Sequence, residues 1–344
     1  MVIRLAIPAM VFALSAAVIP AAGQGEVPEA MPPAEVTSVP EIDPVALGDD
    51  EVLHVVASTS IVGDVVSAVA GDRARVKTLM ARGQNPHGYT PAPRDIAEIE
   101  RADLVFTNGF DLEENLVQTV RTTASGPVVP VSAGITVSGE GDAAHGEELH
   151  GEDSHGDDDH DHGPVDPHVW FDPANVMHWT ETIAAALGAA DPDNADTYVQ
   201  NAETYRRRLE ELDGWIRRQV DTIPQDRRKL VVDHASLGWF AEAYGFAVVG
   251  AVIPATTDQA EPSAQDVARL VELIRREQVP AIFVGETAGR GVQAMVDAVA
   301  EEVGYRVRVG RLLTGSLAPA GQRGDSYTGF MEYNVGQIVR NLSD

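Results

Sequence analysis

At 344 residues the chain has room for about two domains, and 44% hydrophobic with 23% charged residues is the composition of a protein that buries real cores. Against 25 Lys and Arg stand 53 Asp and Glu, a formal net charge of −28; this excludes the basic face of a nucleic-acid binder and docking on an anionic membrane, and it suits a cationic partner. There is no cysteine, which excludes disulfides, thiolate metal sites, cysteine nucleophiles and a lipidated cysteine anchor, so any metal must be held by nitrogen and oxygen.

Arg4, the apolar run Leu5 to Ile19 and the small residues Pro20-Ala21-Ala22-Gly23 read as an export signal over residues 1–23. The alternative is an uncleaved anchor, since Val2 to Ala22 is of borderline spanning length. The mature protein is expected outside the cytoplasm, periplasmic or otherwise extracytoplasmic, and, lacking cysteine, not a lipoprotein. Residues 24–50 are rich in Pro, Glu, Ala and Asp without apolar periodicity and read as a flexible linker.

From Val52 the texture changes. Short β-branched runs at 52–56, 76–80, 104–106 and 128–131 alternate with helical patterns near 61–70, 92–101 and 112–122. This is the pattern of a parallel sheet covered by helices. A second set follows, with strands at 230–232, 247–249, 281–284 and 307–309 and helices near 236–244, 263–277, 290–303 and 326–342. Between the sets, Tyr198, Tyr205, Leu209, Leu212, Ile216 and Val220 form one amphipathic stripe on a helical pattern from Asn194 to Thr222, broken only by Gly214. At 1.5 Å per residue it is roughly 40 Å long, enough to tie two lobes together; a surface helix kinked at Gly214 is the plainer alternative. The fold class is therefore α/β: an N-terminal lobe over 51–190, a connecting helix within 191–224 and a C-terminal lobe over 225–344, each lobe with a mainly parallel sheet.

The ten histidines divide into three kinds. His54 inside a strand and His178 in the helical stretch after Pro173 read as structural. His145, His150, His155, His160 and His162 lie in a low-complexity tract, residues 139–166, that carries eleven Asp and Glu and no Lys or Arg. Such a tract buries no core, and imidazoles mixed with carboxylates collect borderline divalent cations such as zinc, copper and nickel, so it reads as an accessory metal loop. His87, His168 and His234 form the third kind. His87 follows one strand and His234 closes another, and ligand sites in open α/β sheets form beyond the carboxyl ends of strands. His87 and His168 each follow a proline that restricts the local backbone. Three imidazoles meeting between lobes make a zinc-type site, although spacings of 81 and 66 residues are equally those of three unrelated histidines.

Asn85-Pro86-His87-Gly88-Tyr89-Thr90-Pro91, Asp166-Pro167-His168-Val169-Trp170-Phe171-Asp172-Pro173 and Asp233-His234-Ala235-Ser236-Leu237-Gly238 occur in order, with a His/Asp-rich insertion before the second. Glu261-Pro262-Ser263-Ala264, Gly324-Asp325-Ser326-Tyr327 and Tyr333-Asn334-Val335 follow. From about Glu51 to Leu342 the chain resembles the zinc- and manganese-binding solute-binding proteins of ABC importers, and most of all their zinc-uptake, ZnuA-like branch with its TroA-like fold. The resemblance implies two lobes joined by a rigid helix and a metal ion between them, held by His87, His168 and His234. It implies Zn2+ as the transported ligand, with Mn2+ the lesser expectation, because imidazole rather than carboxylate stands at 234.

The resemblance further implies an ABC permease with a cytoplasmic ATPase as partner, a monomeric binding protein and no catalysis. One departure is that Gly315 stands where the family commonly supplies an aspartate ligand. Water or Glu286 is left for that position; Asp325 is more easily read as a helix cap, as is Ser326. Asp233 is not expected to support its neighbour His234, because adjacent strand residues point to opposite faces. Two other readings remain open: a secreted zinc hydrolase using the same three histidines, and an extracytoplasmic metal buffer or chaperone that serves no importer.

Overall fold

The computed structural model describes residues 39–48, 50–136 and 165–343. The export signal expected over 1–23 and the five histidines of the expected metal loop lie outside the described residues, all of which fall within one compact unit, Val36–Asp344.

Two parallel four-stranded sheets organise the chain. The first comprises β1 (Leu53–Ala57), β2 (Ala74–Thr78), β3 (Leu104–Thr107) and β4 (Val128–Pro130) in the order β2-β1-β3-β4. The second comprises β5 (Lys229–His234), β6 (Ala247–Ile253), β7 (Ala281–Gly285) and β8 (Arg308–Leu312) in the order β6-β5-β7-β8. The two orders are equivalent. In each, the chain winds outward from a central pair, β1/β3 or β5/β7, so each lobe has a switch point with a crevice at the carboxyl ends of its strands.

Strand alternation decides which core each side chain joins. Val56 and Val105 pack beneath α2 (Pro93–Glu100) and α3 (Glu114–Thr123), with Ile99, Leu116 and Val120. Val231, Ile282 and Val284 pack beneath α7 (Ala264–Glu277) and α8 (Arg290–Glu302), with Leu270, Ile274, Val296 and Val299. The opposite faces of both sheets, Leu53, Val55 and Ala57 in one and Leu230, Val232 and Phe283 in the other, belong to a single larger core. That shared core also contains α1 (Ser60–Ala70), α4 (Pro173–Ala190), α6 (Gly238–Tyr244) and α9 (Tyr327–Leu342).

The seam of the shared core is α5 (Ala195–Val220), 26 residues and about 39 Å long. Its stripe of Tyr198, Ala202, Tyr205, Leu209, Leu212, Ile216 and Val220 is buried, and the helix packs on α1, α4 and α9. The helix runs through Gly214 without a break. Asp64 of α1 strengthens the joint by accepting a hydrogen bond from Tyr327 N at the start of α9, 2.9 Å. Part of the stretch expected as flexible linker is also docked: Ile42, Val45 and Leu47 pack on the shared core, and Val45 N donates to Ala190 O at 2.8 Å. Those three apolar side chains give the segment something to bury.

Leu209→Ala should lower unfolding free energy by about 2–5 kcal/mol, the cost of a cavity in a fully packed core. Val199→Ala, on the exposed side of α5, should change it by less than about 0.5 kcal/mol. Chemical denaturation of the metal-free protein measures both.

Candidate metal centre

The structure brings His87, His168 and His234 together, although they come from three separate segments. Among the described residues they are the one group of three or more His, Asp and Glu whose donor atoms converge, all within 4.8 Å of one another. His87 Nε2 lies 3.1 Å from His168 Nε2, and His234 Nε2 lies 3.4 Å from the same atom.

His234 is the last residue of β5, at the switch point of its sheet. Its Nδ1 lies 3.0 Å from Asp233 Oδ1, and its backbone N–H donates to the same oxygen at 2.9 Å. The alternation rule fails here because β5 ends at His234, which frees the Asp233 carboxylate to fold back onto its neighbour. The other Asp233 oxygen accepts from Gly285 N of β7 at 2.8 Å, fixing the carboxylate across the crevice.

His168 repeats the device within a different local motif. Asp166 Oδ1 accepts from His168 N at 3.0 Å across the intervening proline and lies 2.7 Å from His168 Nδ1. The turn that follows, Val169–Phe171, buries all three of its side chains. Trp170 Nε1 donates to Thr314 O in the other lobe at 3.1 Å, while Asn108, just after β3, donates from Nδ2 to Pro167 O at 3.0 Å. Asn108 is itself held by Glu113, whose Oε1 accepts from Asn108 N at 2.8 Å and also from Ser58 Oγ. Burial pushes the Glu113 carboxyl above its ordinary value.

His87 lies in the loop between β2 and α2 and is half-buried. Asn85 Oδ1 accepts from His87 N at 3.1 Å, the same turn that Asp166 makes before His168. Among the described residues, no carboxylate stands behind the His87 ring.

The carboxylates behind His168 and His234 place the proton on Nδ1 and leave the Nε2 lone pair free. Burial, followed by the neighbouring His168 and His234, holds His87 down at about 2. Burial also lowers His168, against the pull of Asp166. Burial opposes charge on His234 as well, but the Asp233 contact outweighs it and its value is raised, with Asp233 correspondingly lowered. Acceptor atoms therefore crowd together with few protons among them, an arrangement that a Lewis-acidic cation relieves.

Several expectations meet a definite answer. Glu286 does not reach the cluster: it is exposed past the end of β7 and accepts from Tyr333 Oη at 2.6 Å. Ser326 caps α9 by accepting from Gly329 N, whereas Asp325 braces the preceding turn by accepting from Gly321 N. His54 and His178 are structural, with His54 beside Arg101 O and Glu98 and His178 Nε2 at 2.6 Å from Ala133 O. Gly315 does more than lack a ligand: a Cβ there would stand 2.6 Å from Pro86 Cδ, so the His87 loop seats against its bare backbone. Asp166 was the partner most open to discovery from sequence, because an Asx-Pro-His triplet occurs twice.

A family model described as ZnuA, zinc-uptake complex component A, periplasmic, matches residues 55–341. The chain is 35% identical over 295 residues to the manganese-binding lipoprotein MntA of Halalkalibacterium halodurans, covering 86% of this chain and 90% of that protein. It is 30% identical over 298 residues to the manganese ABC transporter substrate-binding lipoprotein PsaA of Streptococcus anginosus, covering 85% and 89%. Among solved structures, the periplasmic zinc-binding protein TroA of Treponema pallidum superposes with a TM-score of 0.74 at 29% identity, over 86% of this chain and all (100%) of that one.

Gly315→Ala should cost the metal-free protein about 1–3 kcal/mol of stability through overpacking against Pro86, read as a lowered denaturation midpoint.

Proposed function

The chain belongs to the zinc-uptake complex component A family, and from that membership we propose that it captures Zn2+ outside the cytoplasm and delivers it to the permease of an ABC importer. As a member of the family it is a metal-binding, substrate-binding transport component and not an enzyme. The metal is its cargo.

The observation that carries the choice of site is the spacing of the three Nε2 atoms. Zinc bound tetrahedrally at about 2.05 Å sets its ligand atoms about 3.3 Å apart, and His168 Nε2 lies 3.1 and 3.4 Å from the Nε2 atoms of His87 and His234. His87, His168 and His234 are therefore assigned as the ligands, with the fourth position left to water. The choice of zinc over manganese rests on the donors: three imidazoles and, among the described residues, no converging carboxylate suit zinc, whereas manganese favours oxygen. The relatives named for manganese supply the competing reading, and metal competition separates the two.

The surplus of acid over base, −28 in all, draws cations toward the protein. Residues 139–166, with His145, His150, His155, His160 and His162, are assigned as an accessory collector of weaker affinity. The α5 seam makes wide hinge closure costly, so release to the permease proceeds through small shifts of the ligand-bearing loops.

The full chain should retain one tight zinc equivalent in the presence of excess manganese, as read by metal analysis after dialysis. His234→Ala should weaken that equivalent by about 100-fold, because structural zinc binding of ~10–16 kcal/mol is divided among roughly four ligands. Zinc displaced by manganese would overturn the metal assignment. Additional weak equivalents should disappear on deletion of 139–166 while the tight one remains.

Zinc binding should weaken as pH falls, because the ion competes with protons for the imidazoles. His234, with its raised value, takes up a proton first, whereas His87 and His168 resist protonation. The log of affinity should therefore fall by about one unit per pH unit below the raised value of His234, one proton per ion rather than three. Competition titrations between pH 5 and 8 would show the slope.

A further inference from the structure

The three imidazoles are not equally supported. His168 and His234 are buried, and each has a carboxylate at Nδ1. His87 is half-buried, and among the described residues the one hydrogen-bonding contact of its ring is with His168 Nε2. It also sits where neither helix nor strand fixes the backbone, between the end of β2 at Thr78 and the start of α2 at Pro93.

The missing support comes from the other lobe. The amide of Asn85 is used at both ends: Oδ1 accepts from His87 N at 3.1 Å, and Nδ2 donates to both carboxylate oxygens of Asp258, at 2.9 and 2.7 Å. Asp258 lies between β6 and α7, so a single side chain couples the His87 backbone to the C-terminal lobe. The residue type matters. Before His168 the equivalent position is Asp166, which turns its carboxylate to the ring; at 85 an aspartate would set two carboxylates face to face. The rest of the loop is fastened on the same side. Gly83 N donates to Ser316 Oγ at 2.7 Å, Arg82 Nη1 donates to Ala318 O at 3.2 Å and to Asp325 O, and Pro86 closes on Gly315.

We propose that the Asn85–Asp258 pair is a latch that holds His87 in the metal site and sets how long the ion is retained. This rests on the assignment of His87 as a ligand. The pair crosses from one lobe to the other, so a slight separation breaks both hydrogen bonds at once and frees the His87 loop. His168 and His234 keep their own carboxylates and stay in place. Asn85 and Asp258 are positioning residues, since neither belongs to the converging donor group.

The test uses the full chain loaded with Zn2+ and chased with excess chelator. Zinc loss is followed by tryptophan emission, because the Trp170 ring lies edge-on to His168 with centroids 5.2 Å apart. Asn85→Ala and Asp258→Ala should each speed zinc loss by about 10–100-fold, the usual cost of removing support from a metal ligand. The double variant should lose zinc no faster than either single one, because both remove the same bonds. Association should stay within about twofold, and the metal-free unfolding midpoints should be unchanged. Asp258→Asn, which keeps one possible hydrogen bond, should fall between.

Wild-type rates in both single variants, additive effects in the double, or loss of affinity matched by a loss of metal-free stability would overturn the latch. Slower zinc loss in Asn85→Ala would also overturn it, since a released Asp258 would then be acting as a ligand. His234→Ala serves as the separate control. If it retains zinc, the metal-site assignment fails; if it loses zinc while the latch variants behave as wild type, the latch alone fails.

Discussion

The shared apolar seam along α5 is the constraint on which the remaining geometry depends. Each sheet has one face covered by its own pair of helices and another that cannot be covered within its lobe. Burying both of the latter faces against one continuous helix fixes the two sheets relative to each other. It thereby fixes the distance between two crevices whose polar groups come from strand ends. A cluster of three imidazoles is unfavourable by itself, since each loses hydration on burial. It persists because a core of large fully buried side chains, Trp170, Trp179, Tyr198 and Tyr327 among them, holds its supports in place.

Much of this architecture was legible in the sequence. Buried parallel strands read as short β-branched runs, and all eight appear at or within a few residues of their expected positions. The α5 stripe was visible for the same reason that it functions: one face must stay apolar for its whole length. The docking of residues 39–48 had no periodic signal, because Ile42, Val45 and Leu47 do not repeat at one helical or strand spacing within 24–50. The convergence of the three histidines had no local signal beyond the proline before two of them and the strand end before the third; the family resemblance was needed to join them.

The supports of the site were harder to read, and for different reasons. Asp166 and Asn85 occupy the same place in a repeated triplet, so their turns could have been foreseen. The Asp233 contact defeated the alternation rule because that rule holds within a strand and lapses at its last residue. Asp258 was invisible, since it pairs with a residue 173 positions away in the other lobe. Glu286 was a reasonable candidate from its strand-end position, but Tyr333 of α9 already engages it.

The contact between Gly315 and Pro86 bears on how such a protein could change its cargo. An acidic side chain at 315 would add an oxygen donor near the ion and shift the site toward harder cations. It cannot be introduced alone, because the proline ring occupies the space its first carbon needs. Pro86 would have to be replaced first, and that replacement loosens the turn that aims His87. A change at 315 is therefore coupled to a change at 86, the position immediately before His87. A single packing contact thus ties the residue type allowed at 315 to the turn that precedes His87.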